Sequence, residues 1–236
     1  MAFLEAPVLQ LITVIISGFI YPAYALFTFA GINQRILEDE TYRLRDYRKT
    51  RLIFAVLTTL IIINLLAGLP VPLILLPELG LPALIFSILI IAFIIVQARQ
   101  KLRTEDFRVI RQNMEPVWPY LPKNQRELKY FYALSLMAAV SEELVFRYYL
   151  YHAFVESGIA VWLAVILVNI LFAITHAGTG LQNILSSFFL GLVFSVIYYF
   201  SGLLLLPIIF HATIDISAGR TSFIVQQRLG VNGKGA

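Results

Sequence analysis

The sequence predicts an all-α protein, a polytopic bundle of about seven transmembrane helices, within a range of six to eight. Of its 236 residues, 59% are apolar and only 14% are charged, and the mean hydropathy is +0.82. Soluble domains carry about 25% charged residues, and a domain of this length buries only about 70% of the surface that its unfolded chain exposes. So much apolar surface therefore indicates a protein that lies in a bilayer. It excludes a free cytosolic protein, a nucleic-acid-binding protein and a disordered chain.

Seven apolar runs are interpreted as the membrane spans, since about 20 apolar residues cross a bilayer as a helix. In chain order the runs are 8–30, 52–69, 79–96, 130–154, 160–176, 181–200 and 203–217. The alternating pattern of a membrane barrel is not visible. Prolines interrupt the chain between Pro70 and Pro82, where a re-entrant turn is an alternative. We expect three regions: N-terminal helices with basic loops over 1–129, a catalytic core over 130–217 and a tail over 218–236.

The basic residues predict the orientation of these spans. Every Lys and Arg except Arg147 lies in 31–51, in 97–129 or after residue 217. Under the positive-inside rule, the two long loops and the C-terminus are then cytoplasmic and the N-terminus is outside. The loop 97–129 also carries aromatic residues, so it either flanks or gates a site at the membrane surface or is a solvated linker. The chain has no cysteine, which excludes disulfides and thiolate chemistry.

Ionisable residues inside spans are concentrated in the second half of the chain, where each costs several kcal/mol in hydrocarbon unless it is paired or faces water. They are Glu142, Glu143, Arg147, His176, His211 and Asp215. Residues four apart share a helical face, so we expect Glu143 to pair with Arg147 and His211 to lie beside Asp215. Glu142 is rotated by about 100° from Glu143 and is the better candidate for a free carboxylate that faces a cavity. The predicted topology places all six residues in the cytoplasmic half of the bilayer.

Two kinds of hydrolytic chemistry suit this cluster. A carboxylate and a histidine can hold and deprotonate a water, while a second histidine and a protonatable aspartate can donate hydrogen bonds to an oxyanion. Alternatively, two histidines and one carboxylate can bind zinc with an open position for water; the candidate ligands are Glu142, His176 and His211. The chain has neither a G-x-S-x-G elbow nor an H-E-x-x-H motif, which disfavours a serine hydrolase or a zincin.

Three motifs in this order resemble the CAAX-protease and bacteriocin-processing (CPBP) family of intramembrane proteases, which includes the type II CAAX prenyl endopeptidase. The first motif, E-E-x-x-x-R, starts at Glu142 and ends at Arg147. The second, F-x-x-x-H, joins Phe172 to His176, and the third, H-x-x-x-N/D, joins His211 to Asp215. The resemblance covers about residues 130–217, and the N-terminal spans carry no recognisable signature.

The resemblance implies an endopeptidase that hydrolyses a peptide bond of a membrane-embedded or lipid-anchored substrate protein. It assigns water activation to Glu142 and His176, and oxyanion stabilisation to His211 and Asp215. The family has been interpreted both as metalloproteases and as metal-independent glutamate proteases, so the cofactor is either none or one divalent metal such as zinc. We slightly prefer the metal-free mechanism, because pairing of Glu143 with Arg147 leaves Glu142 as a single free base.

Two other functional classes stay open at this point. The first is a catalytically silent relative that acts as an immunity or scaffold protein in the membrane. The second is a proton or ion pathway built on the same carboxylates, which would need polar residues that continue to the outer face.

Overall fold

The computed structural model describes residues 6–29, 31–67, 80–103 and 105–232, and within these ranges all regular structure is helical. The predicted all-α class is confirmed. In the first half, α1 (Ala6–Ile15) continues through the π-helical turn Ile16–Ile20 into α2 (Tyr21–Phe29). The remaining helices of this half are α3 (Ile32–Glu38), α4 (Thr41–Leu66), α5 (Leu81–Arg99) and α6 (Asp106–Asn113).

The second half begins with α7 (Gln125–Glu142), which is capped by the Asn124 side chain accepting from the Glu127 amide at 2.9 Å. It continues through the π-helical turn Glu143–Leu150 into α8 (Tyr151–Glu156). Then follow α9 (Val161–Ile174), the 3₁₀ turn Ala177–Thr179, α10 (Leu181–Ser201) and α11 (Leu205–Asn232). Because α11 runs without a break past residue 217, the first part of the predicted tail is helical.

Among the described residues, four helical stretches are long and apolar enough to cross a membrane. They are Val8–Thr28, Thr41–Leu66, Leu81–Arg99 and Leu181–Ser201, and α9 is apolar but has only 14 residues. The protein is therefore an integral membrane protein, but the predicted count of about seven spans is not confirmed. The α7–α8 stretch and α11 carry the charged residues of the motifs, which lower the hydropathy of these helices although Glu142, Glu143 and Arg147 are buried inside the bundle. The interruption predicted between Pro70 and Pro82 falls largely on residues 68–79, outside the described residues.

The charged stretch α7–α8 lies in the middle of the bundle. Helix α7 packs against α4 and α11, and the π-helical turn that follows it contacts α4, α9 and α10. Aromatic side chains fill the surrounding core, among them Phe54, Phe131, Phe146, Phe172 and Phe194. By contrast, α5 presents an apolar face outward, with large side chains such as Ile88 and Leu89 exposed. Protein rather than lipid therefore surrounds Glu142, Glu143 and Arg147.

Candidate active site

A cavity of about 320 Å³ lies between α2, α4, α7 and α11, and its polar end contains Glu142, His176, His211 and Asp215. Glu142 and His211 are buried, whereas the side chain of Asp215 is 35% exposed. Most other lining residues are apolar or aromatic. Four of the six predicted site residues thus face one cavity, and Glu143 and Arg147 lie behind it.

Glu142 faces the cavity as the sequence predicts, and two side chains from other helices lie close to its carboxylate. The Tyr21 hydroxyl donates to its Oε1 at 3.1 Å, and His211 Nε2 lies 3.8 Å from its Oε2. The contact with Tyr21 was not predicted from the sequence. The two residues are 121 positions apart, and no spacing rule connects them.

Glu143 is fully buried and is held from two sides. Its Oε2 lies 3.2 Å from Arg147 Nε, which is the pairing that the i, i+4 spacing predicts. Its Oε1 accepts a hydrogen bond from His211 Nδ1 at 2.9 Å. This second contact was missed, because helix periodicity reports neighbours on one helix and not contacts between helices. Glu143 therefore connects the buried arginine to the imidazole at the cavity.

Arg147 is enclosed by aromatic rings as well as by its acidic partner. Its Cζ lies 4.1 Å from the centroid of Phe172 and 5.2 Å from that of Phe194, within the range of cation–π attraction. Its Nη2 donates to Asn169 Oδ1 at 3.3 Å. Helix α10 approaches closely at Gly191, where a Cβ would lie 2.8 Å from the same Nη2. The phenylalanine of the F-x-x-x-H motif thus supports the arginine.

His176 follows the end of α9, and a backbone acceptor fixes the proton on its ring. Its Nδ1 lies 3.0 Å from the Phe172 carbonyl oxygen and 3.0 Å from Thr175 Oγ1. A carbonyl oxygen only accepts, so Nδ1 carries the hydrogen and the neutral imidazole has its lone pair on Nε2. The ring also packs on Phe172, with centroids 4.8 Å apart. This tautomer suits a histidine that takes a proton through Nε2.

His211 lies among three carboxylates. Its Nδ1 donates to Glu143, and its Nε2 lies 3.6 Å from Asp215 Oδ2 and 3.8 Å from Glu142 Oε2. The ring is stacked on Phe194, with centroids 5.0 Å apart and an interplanar angle of 20°. A protonated His211 and Arg147 would together balance most of the acidic charge, and buried ions need such compensation. Nε2 is then the ring atom that faces the polar end of the cavity.

The predicted zinc ligands share the cavity, but their donor atoms are not arranged around one centre. Among the described residues, no group of three His, Asp or Glu side chains has a geometry that could hold a metal ion. Zinc requires ligand atoms about 2.0–2.2 Å from the ion. The bond from His211 Nδ1 to Glu143 leaves Nε2 available, and it would suit a metal-bound histidine as well as a metal-free one. As arranged, the donors do not fit zinc, and a role for metal stays an untested prediction.

The segment 116–123 contributes a wall of the cavity, which Val117 and Leu121 line. Side chains from two directions bind its carbonyl oxygens. The bonds run from Asn33 to Pro116 at 2.6 Å, from Arg43 to Pro119 at 2.7 Å, from Tyr47 to Tyr120, and from Gln226 to Pro122 at 3.1 Å. Of the two interpretations of the loop 97–129, this wall favours a segment that flanks the site over a solvated linker.

The fold and the cavity define a class: an integral membrane protein of α-helices with carboxylates and histidines around one cavity. Residues 124–217 match the family model described as Type II CAAX prenyl endopeptidase Rce1-like. The match places this segment in the CAAX protease family and confirms the resemblance that the three motifs indicate. Neither the curated proteins nor the solved structures contain a match to the chain.

Proposed function

We propose that the protein is an intramembrane endopeptidase that hydrolyses a peptide bond of a membrane-embedded or lipid-anchored protein. One observation carries the proposal: each of the three motifs contributes at least one polar side chain to the same cavity, whose polar end joins apolar walls. The polar end suits water and a peptide bond, and the apolar walls suit a substrate that arrives from the bilayer. The match of residues 124–217 supports the same class of reaction.

In the proposed mechanism Glu142 is the general base. Nε2 of His176 orients a water at the polar end of the cavity. This water gives a proton to Glu142, and the water oxygen forms a bond to the carbonyl carbon of the substrate. General-base catalysis of this kind contributes about 10²–10⁴-fold. The tetrahedral intermediate then collapses, the C–N bond breaks, and Glu142 returns the proton to the leaving amine.

His211 stabilises the oxyanion in this mechanism. Its Nε2 lies at the polar end, while Glu143 holds Nδ1 at 2.9 Å and Arg147 holds Glu143. Asp215 lies 3.6 Å from Nε2 and supports the protonated imidazole. A positioned donor of this kind contributes about 10²–10³-fold to kcat. Glu143 and Arg147 therefore act through His211, and they touch neither the water nor the peptide.

The orientation of the protein is a further part of the proposal. The basic residues of 31–51 and 97–129 favour a cytoplasmic position for both loops, and Val117 and Leu121 of the second loop line the cavity. A substrate anchored in the cytoplasmic leaflet would then reach the site with its polypeptide on the cytoplasmic side and its anchor in lipid.

Isotope labelling tests the proposed reaction. The purified protein in liposomes is incubated with a lipidated peptide in H₂¹⁸O, and the products are analysed by mass spectrometry. Hydrolysis predicts two fragments, with one ¹⁸O in the newly formed carboxylate. Failure to cleave any of a series of prenylated, acylated and transmembrane peptides would contradict the proposal and favour a silent immunity or scaffold protein.

Elemental analysis decides between the metal-free and the zinc mechanism. The preferred mechanism predicts full activity in purified protein without a stoichiometric metal, and no loss on chelation. About one zinc per chain, with activity lost on chelation and restored by zinc, would contradict it; Glu142, His176 and His211 would then be the first ligands to test.

A further inference from the structure

Tyr21 has no part in the motifs, yet it touches the proposed base. It lies in α2, outside the segment 124–217 that matches the family. Its side chain is 7% exposed, and its hydroxyl donates to Glu142 Oε1 at 3.1 Å. A hydrogen bond to a carboxylate is about twice as strong as one between neutral groups. The N-terminal helices thus contribute a polar group to the candidate active site.

The ring of Tyr21 is fixed by its aromatic neighbours. Its centroid lies 6.3 Å from that of Phe54, in an edge-on arrangement, and 6.4 Å from that of Phe146. These contacts come from α4 and from the π-helical turn after Glu142. Because packing holds the ring, the hydroxyl is already placed for its bond, and little freedom is lost in orienting Glu142.

Tyr21 also lies next to the end of α9 that carries the second proposed activator. Tyr21 lines the same cavity as Thr175, whose Oγ1 is 3.0 Å from His176 Nδ1. Helix α2 packs against the adjoining turn Ala177–Thr179. Helix α2 therefore brings the phenol that bonds Glu142 close to the end of α9 that carries His176.

A π-helical turn adjoins each partner of this contact along the chain. One, Ile16–Ile20, ends immediately before Tyr21, and the other, Glu143–Leu150, begins immediately after Glu142. The turns pack together, since a Cβ on Gly18 would lie 3.3 Å from a methyl group of Leu150. Such turns are rare in proteins overall, and those that occur are often found at functional sites. Each one changes the helical register directly next to one partner of the Tyr21–Glu142 bond.

We propose that Tyr21 is a positioning residue that holds the carboxylate of Glu142 toward the water site and toward His176. The role rests on the proposed function, because it acts through the base. Other charged groups face the same carboxylate or lie near it, namely His211, Asp215, Glu143 and Arg147. Tyr21 differs from these groups because it is a neutral donor. It binds Oε1 of Glu142, whereas Oε2 of Glu142 is the oxygen that lies near His211.

Tyr21→Phe tests the proposal, since it removes the hydroxyl and keeps the ring. We expect kcat to fall about tenfold with an unchanged KM, because one charge-assisted hydrogen bond to the base is lost. Tyr149→Phe is the matched control. It removes another buried phenol bond to the N-terminal half, to Asn64 Oδ1 at 2.8 Å, without touching Glu142. An unchanged kcat in Tyr21→Phe, a rise in KM alone, or an equal loss in Tyr149→Phe would overturn the proposal.

A thermal double-mutant cycle tests the contact independently of proteolysis. Tyr21→Phe is expected to lower the Tm by a few degrees in the native background, and to have little effect in the Glu142→Ala background, where its partner is absent. Equal Tm shifts in the two backgrounds would contradict a direct contact between Tyr21 and Glu142. If the native protein cleaves nothing while the shifts are unequal, the proposed function fails and the Tyr21–Glu142 bond stands.

Discussion

Arg147→Met is the substitution that most directly perturbs the buried charges behind the site. The arginine is 1% exposed, lies 3.2 Å from Glu143 and bonds Asn169 at 3.3 Å. Methionine keeps a long apolar stem beside Phe172 but removes the positive charge. Glu143, which is fully buried, would then keep only His211 as a cationic neighbour on its other oxygen.

The expected cost follows from leaving a buried carboxylate without its partner. Breaking a buried ion pair by removing one member costs about 3–5 kcal/mol. At about 2–4 °C per kcal/mol for a chain of this size, the Tm should fall by roughly 6–20 °C. Thermal unfolding of the purified protein in detergent measures the shift, and the amount of protein in membranes should fall in parallel.

Two control variants separate the buried charge from a general effect of losing an arginine. Arg48→Met removes an exposed arginine whose Nη2 lies 3.3 Å from the Tyr130 hydroxyl, and its cost should stay below about 1 kcal/mol. Glu143→Gln added to Arg147→Met should recover part of the loss, because the stranded charge is removed. A Tm of Arg147→Met within a degree or two of the native value would refute the reasoning.

Two further predictions concern helix packing and orientation. Gly191→Ala would place a Cβ 2.8 Å from Arg147 Nη2 and 3.0 Å from the Phe172 ring, so we expect a loss of about 1–3 kcal/mol in thermal stability. Gly80→Ala, whose Cβ would meet an ordinary 3.6 Å contact, is the control, and equal Tm values for both variants would contradict the packing argument. Single cysteines at the exposed positions Glu38 and Glu105 should react with an impermeant reagent only after permeabilisation, while one at Glu156 should react in intact cells. Labelling of a cysteine at position 38 or 105 in intact cells would contradict the predicted topology.

The sequence predicts contacts along one helix better than contacts between helices. Four-residue spacing predicts the Glu143–Arg147 pair and the neighbouring positions of His211 and Asp215, because helix geometry alone fixes them. The bond from His211 to Glu143 and the bond from Tyr21 to Glu142 depend on how helices pack. The order of the motifs indicates that these helices meet, but it does not indicate which atoms touch.

The number of spans is less predictable for a related reason. Hydropathy measures how apolar a run is, whereas helix length depends on caps and on packing partners. Helix α11 has 28 residues and continues beyond the apolar run that ends at residue 217, and α9 has 14 residues in a run predicted to span the bilayer. Charged residues on α7 and α11 lower the apolar signal, although some of them, such as Glu127 and Glu142, are buried in the bundle.

The turnover of Glu142→Gln tests the central claim most directly. Glutamine keeps the shape and the acceptor for Tyr21 but cannot take a proton from water. We predict that kcat for a lipidated peptide in liposomes falls at least about 10²-fold, with a Tm within a few degrees of the native value. Glu156→Gln, at an exposed glutamate outside the cavity, should retain native turnover. Near-native turnover by a folded Glu142→Gln protein would contradict the assignment of Glu142 as the general base.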